Sequence, residues 1–337
     1  MNLKSIATKA GVSTATVSNV INGNHHKVSK ETLEKVLKII EENNYQPNAT
    51  ARSLASKESK IIGVAIPKIG NAESFAVSPY NTQILALLEN YIRNQGYYLM
   101  MRTAGEYNEI APLFSQWNVD GMVLVGASEE DVSDIRKRLV NVPTIFIDTY
   151  AQGQEIANVG IDDYESGYLV ATYLLGKGHR EIAFVGPNVN DSTVIGRRYR
   201  GFCDACAEKG VMITPSHVFE TNTLYHYGIA MGQKIAISDI GFTAVAVMSD
   251  IVAFGVIEGL RLCGKSVPND ISVIGFDDLP ECRYSSPKLT TVSQNLEKKV
   301  RLVGKHLFEM IRNKETLVIN EIVDAQIIER QSVKDIN

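Results

Sequence analysis

Residues 3–22, LKSIATKAGVSTATVSNVIN, carry Thr14, Ala15, Thr16, Ser18, Asn19 and Asn22 at spacings that gather short side chains on the outer face of one helix. Hydroxyl, amide and methyl groups of that size suit a helix pressed into a DNA groove, where base edges offer donors, acceptors and thymine methyls. The elements that must hold such a face are written beside it. Leu3, Ile6, Ala7 and Ala10 fall at helical spacing, Gly11 supplies the permissive backbone of a sharp turn, and Val17, Val20 and Ile21 repeat the apolar spacing after it. Ala7 has to be small because the two helices cross there, and Ser13 is placed to accept hydrogen bonds from the free amides that open the second helix. Each feature alone also fits an ordinary helical hairpin; their conjunction predicts a helix-turn-helix that reads DNA.

Charge and composition agree with a small module on a larger body. At 337 residues and 45% hydrophobic content, the chain exceeds one compact core and fits a head plus a two-lobed domain. Residues 1–60 hold nine Lys and Arg against five Glu, or +4, so the remainder carries −8 of the net −4. A basic head on an acidic body orients approach to phosphate. No apolar run follows an N-terminal basic segment and none approaches the ~20 residues of a membrane span, which predicts a cytoplasmic, nucleoid-associated protein without a membrane partner. The pattern around Cys203-Asp-Ala-Cys206 reads as mid-helix, with no second pair to complete a zinc site, so no metal or cofactor is expected.

Beyond Lys60, short β-branched runs (61–66, 97–101, 121–125, 143–147, 182–185, 244–248, 272–276) alternate with helical stretches, predicting βα winding into two parallel sheets flanked by helices. Enzymatic motifs are missing: no Gly-x-Gly-x-x-Gly, phosphate loop, Gly-x-Ser-x-Gly elbow or His-x-x-x-His pair appears. His179 reads as a loop residue ahead of a strand, and His25 and His26 as exposed turn residues.

The chain resembles the lactose-repressor (LacI/GalR) family through Gly11-Val12-Ser13, Thr16-Val17-Ser18, Asn22-Gly23, Tyr45-Gln46-Pro47-Asn48 and Ala51-Arg52-Ser53-Leu54. Further along, Gly178-His179-Arg180, Arg198 to Phe202, Ser249-Asp250, Ser272 to Asp277 and Leu289 to Val292 resemble that family's core signatures. The resemblance implies an all-α headpiece over 1–46, a hinge over 47–60 and an α/β core over 61–337 like a periplasmic binding protein. It divides that core into a first lobe of about 61–161 and 293–323 and a second of about 162–292 and 324–337. It implies that Thr14 and Ala15 set base preference, that Thr16 and Ser18 hold phosphates, and that Asn19, where many members carry arginine, favours adenine over guanine. Residues 48–56 are too short for a helix on their own and are expected to fold on DNA, paired with a dimer mate. There Leu54 would wedge a minor-groove step, with Asn48 and Arg52 in support.

In the core, the resemblance puts Asp148, Arg198, Ser249 and Asp277 at cleft-facing positions, with Ser78, Tyr80 and Thr223 as weaker candidates. Arg198 as a donor fork and Asp277 as an acceptor suit vicinal hydroxyls of a sugar or sugar phosphate. Against that stand inter-lobe ion pairing for Arg198 and Asp277 and helix capping for Ser249 and Asp250, with the cap preferred for Asp250. The expected protein is a homodimeric repressor on a pseudo-palindromic operator, switched by a shift between two lobe arrangements. An alternative partner is a phosphorylated carrier protein docking near a basic cluster of Lys298, Lys299 and Arg301; a non-DNA-binding enzyme or binding protein ranks lower.

Overall fold

A computed structural model describes residues 2–21, 23–45, 58–68, 78–105, 110–139, 141–151, 153–187, 189 and 194–337. The chain divides into two compact units, Met1–Lys60 and Ile61–Asn337.

In the first unit, α1 (Leu3–Ala10), α2 (Thr14–Ile21) and α3 (Lys30–Glu42) close on one small core. Ile6, Ala7, Ala10, Val17, Val20 and Val36 are buried together, so the apolar spacing of the sequence is the core itself. Asn2 caps α1 through a capping box, and Gly11 ends it with φ 68°, in the left-handed region that a side chain disfavours. The Thr16 amide donates to Ser13 Oγ at 3.1 Å, which secures the start of α2. His25 and His26 lie exposed in a short 3-10 turn.

The second unit holds two six-stranded sheets. The first contains β1 (Ile61–Pro67), β2 (Tyr98–Ala104), β3 (Gly121–Val125), β4 (Thr144–Ile147) and β5 (Ala157–Gly160). Its helices α4 (Pro79–Asn94), α5 (Ile110–Gln116) and α6 (Glu129–Arg138) alternate with those strands. The second sheet uses β6 (Ile182–Gly186), β7 (Val218–Glu220), β8 (Ala244–Val247), β9 (Ser272–Asp277) and β10 (Thr290–Ser293). Its helices are α7 (Asp163–Gly176), α8 (Val194–Glu208), α9 (Tyr225–Ala236) and α10 (Asp250–Leu262). The chain then returns through α11 (Leu296–Asn313) to add β11 (Ile319–Ile322) to the first sheet, and crosses again to add β12 (Gln326–Ile328) to the second.

Strand orders are β11-β5-β4-β3-β1-β2 and β12-β10-β9-β8-β6-β7. All pairings are parallel except β12 on β10, an antiparallel edge on an otherwise parallel sheet. Both faces of the central strands are covered by helices, which is why β3, β6, β8 and β9 are buried along their whole length instead of alternating. Glycines fix how closely the covering helices cross. A Cβ on Gly167 of α7 would stand 1.8 Å from the Arg198 carbonyl oxygen of α8, and one on Gly201 would stand 1.9 Å from the Tyr164 carbonyl. The same device joins α9 to α10, where Gly228 and Gly232 face Gly255 and Gly259.

His179 lies in the loop before β6, as expected, and is fully buried there, with Nδ1 3.0 Å from Thr243 Oγ1 and Nε2 3.2 Å from the Lys334 carbonyl. Burial lowers its pKa, and it ties the segment after β12 to the second sheet. Cys203 and Cys206 lie within α8 as free thiols. Among the described residues, no helix is long and apolar enough to cross a membrane.

Candidate functional site

On the headpiece, α2 turns Val17 and Val20 inward and leaves Thr14 and Ala15 exposed, with Thr16, Ser18 and Asn19 half-buried beside them. The Thr16 hydroxyl stands 2.9 Å from Ser13 Oγ, so it is held at the helix start. Asn22, Asn48, Arg52 and Leu54 lie outside the described residues.

The core residues converge. Ser78, Tyr80, Asp148, Arg198, Thr223, Ser249 and Asp277 all line one cavity of about 260 Å³, at the carboxyl ends of β1, β3, β4 and β9. Sites in open α/β sheets form there because the loops that leave the strands diverge. Asp148 follows β4 with φ 52° and Asp277 ends β9 with φ 123°, both in the left-handed region that costs a non-glycine residue of order 1–3 kcal/mol. Both acidic walls are therefore held against local backbone preference.

The pairings differ from those expected. Arg198 does not pair with Asp277; its Nε donates to Asp163 Oδ1 at 2.8 Å, its Nη1 reaches the Met248 carbonyl at 3.4 Å, and its guanidinium lies 3.5 Å from the Phe276 ring centroid. Burial pushes the Asp163 carboxyl up while Arg198 pulls it down. Tyr150 donates to the same carboxylate at 2.5 Å, and Arg197 stacks 3.8 Å over the Tyr150 ring. On the opposite wall Tyr80 donates to Asp148, and burial together with that carboxylate holds the Tyr80 hydroxyl well above its ordinary range, so it stays a donor.

Ser249 precedes α10 without a side-chain cap bond, and Asp250 is not a cap either. Its carboxylate is fully buried behind the cavity and accepts from the Leu279 amide at 2.9 Å, Thr291 Oγ1 at 2.6 Å and Cys282 Sγ at 3.1 Å. Burial raises its pKa to about 7. Asp250 thus pins the loop after Asp277 to β10, and a Cβ on Gly275 would lie 2.2 Å from its Oδ1.

Two residues of the site carry no signal in the sequence. Lys299, expected in a solvated basic cluster, is fully buried and pairs with Asp148 at 2.7 Å, leaving Lys298 and Arg301 nearer solvent. Gln294 is buried between Lys299 and Asp277. A lysine at a helical position reads as surface, and its burial is explained by its partners Asp148, Tyr80 and Gln294.

The sequence profile for "Bacterial regulatory proteins, lacI family" matches residues 2–48, and that for a "Periplasmic binding protein-like domain" matches 171–333. The chain is 32% identical to the HTH-type transcriptional repressor PurR of Pasteurella multocida, over 98% of each chain. It is 29% identical to the ribose operon repressor of Haemophilus influenzae, again over 98% of each. Its fold superposes on the lac repressor dimer bound to operator and the anti-inducer ONPF with TM-score 0.87 at 25% identity, covering 99% of both chains.

Proposed function

Because the chain belongs to the lacI family of bacterial regulatory proteins, we propose that its cleft takes a neutral polyhydroxylated molecule, a sugar without phosphate, and that occupancy changes its grip on a pseudo-palindromic operator. It is a DNA-binding transcriptional repressor regulated by a small molecule, and not an enzyme.

The charge pairing of the cavity carries the ligand class. Among the described residues Arg198 is the one cation in the cavity lining, and it is neutralised by Asp163 at 2.8 Å; Lys299, one layer behind, is neutralised by Asp148 at 2.7 Å. A phosphate would meet the carboxyl groups of Asp148 and Asp277 with both cations already taken, and like-charge juxtaposition of that kind costs several kcal/mol. Residues 69–77 and 190–193, which precede Ser78 and Val194 in the chain, contain no lysine or arginine. Hydroxyl groups fit instead: carboxylates accept from them and the remaining guanidinium protons donate to them. Thermal unfolding of the full-length protein with a panel of neutral aldoses, and with their phosphate esters, tests this. A ligand at 100 times its Kd adds about 2.7 kcal/mol, so a neutral aldose should raise the midpoint by several degrees and its ester should not. Stabilisation by the esters alone would overturn the assignment.

On DNA, Thr14 and Ala15 read base edges, Asn19 and Asn22 extend that surface, Thr16 and Ser18 fix register on phosphates, and Asn48, Arg52 and Leu54 supply the hinge of a homodimer. The exposure of Thr14 and Ala15 opposite the buried Val17 and Val20 supports the first of these roles. Thr14→Ala should then change preference at one base pair by about 1 kcal/mol, whereas Thr16→Val should weaken binding alike for every sequence. Sequencing the fragments retained from a random DNA pool separates the two; a uniform loss with Thr14→Ala would remove it from base readout. The carrier-protein alternative has less support, because Lys299 turns into the core and away from any docking surface.

A further inference from the structure

An ammonium removed from water has to be matched by acceptors, and Lys299 is matched completely. Its three N–H groups are shared among Asp148 Oδ1 at 2.7 Å and Oδ2 at 3.0 Å, Gln294 Oε1 at 2.8 Å and the Tyr80 hydroxyl oxygen at 3.2 Å, while the Tyr80 hydroxyl donates its own hydrogen bond to Asp148. Because a lysine can only donate, the Gln294 amide must turn its oxygen toward it. The amide nitrogen is thereby aimed the other way, and it donates to Asp277 Oδ1 at 2.8 Å. Asp148 follows a strand of the first sheet and Asp277 ends a strand of the second, so a single chain of hydrogen bonds joins the two acidic walls of the cavity.

We infer that Lys299 is the positioning residue of the cleft: it aims Asp148 directly and Asp277 through Gln294, and so sets the registration of the two carboxyl walls that a ligand spans. Lys299 does not itself line the cavity. Its removal deletes no wall side chain but lets Asp148 swing and frees the Gln294 amide to flip, which uncouples the two lobes at the point where a bound molecule has to hold both. The inference deepens the ligand-cleft reading and depends on it only for the binding arm of the test.

The first arm needs no ligand. Lys299 and Asp277 share no hydrogen bond but interact through charge as well as through Gln294, so in urea unfolding of the full-length protein Lys299→Met and Asp277→Asn should be non-additive by at least about threefold in the folding equilibrium constant. In a Gln294→Leu background the same pair should lose most of that coupling. Additivity in the unaltered background, or coupling that persists undiminished without Gln294, would overturn the relay. In the second arm, calorimetry with D-ribose, D-glucose and D-galactose is run on folded Lys299→Met, or on Lys299→Gln if the methionine variant does not fold. Loss of about tenfold or more in the affinity of an aldose that binds the unaltered protein supports positioning. Unaltered affinity in a folded but less stable variant would reduce Lys299 to charge neutralisation and sink the inference. If the unaltered protein binds none of the three aldoses, the ligand class fails separately, and the urea arm alone decides the relay.

Discussion

Replacing Arg198 by alanine should lower the unfolding free energy of the core by about 3–5 kcal/mol and abolish the response to ligand. The magnitude follows from the burial of the pair: the side chains of Arg198 and Asp163 are 5% and 1% exposed, so truncation strands a carboxylate where water does not reach it. The cost therefore belongs to the orphaned charge more than to the lost bond. Two signatures separate this from a simple packing defect. Burial already raises the Asp163 pKa, and without Arg198 the neutral form is favoured further, so the variant should recover part of its deficit as pH falls and Asp163 takes up a proton. Adding Asp163→Asn should likewise restore much of the stability, because no charge is then left unpaired. Chemical denaturation across pH checks both; a deficit independent of pH and unrelieved by the second substitution would show that Asp163 is not the source.

A single methyl group at Gly167 should be almost as damaging. Its Cβ would meet the Arg198 carbonyl oxygen at 1.8 Å and the Arg198 Cα at 2.7 Å, contacts that lie in backbone and that no rotamer change can relieve. Overpacking of this kind costs about 3 kcal/mol or more when helices must separate. Gly232→Ala, whose Cβ would lie 2.3 Å from the Val256 carbonyl at the α9–α10 crossing, serves as the comparison. Both variants should unfold at lower temperature, but Gly167→Ala should also weaken ligand binding in the protein that remains folded, because the α7–α8 crossing is what puts Arg198 against Asp163. Equal ligand affinity in the two variants would mean that α8 relaxes without carrying Arg198 out of place.

What the sequence made legible was decided by periodicity. Ile6, Ala7, Ala10, Val17 and Val20 were readable as a core because an amphipathic helix in a small unit has one face to bury, and the runs at 121–125, 182–185 and 272–276 because strands covered on both sides are apolar throughout. The strands β5, β7, β10, β11 and β12 escaped that reading. Each has three or four residues, too few to establish a period, and β5 and β11 are secured in part by polar side chains, Asn158 donating to Asn320 at 2.8 Å. In the site, Asp148, Arg198, Ser249 and Asp277 were found through family signatures, and the structure brings them to one cavity. Their partners were not. Asp163, Lys299 and Gln294 are polar residues whose burial is decided by contacts far away in sequence, and Asp250 looked like a cap because local patterns cannot show a carboxylate turned toward β10.

The return of the chain to the first sheet has a consequence for how the protein is made. Ile319–Ile322 pairs with Ala157–Gly160, so the first lobe cannot complete its edge until β6 to β10 of the second sheet have been synthesised. At about 5–20 residues per second, a ribosome needs on the order of ten to thirty seconds to bridge that interval. The headpiece has no such debt to the distant chain, since its core is closed by residues up to Val36 with Tyr45 packed against it. The DNA-binding head is thus able to fold well before the core that carries the cavity, and newborn chains pass through an interval in which the head stands folded without the lobes that regulate it.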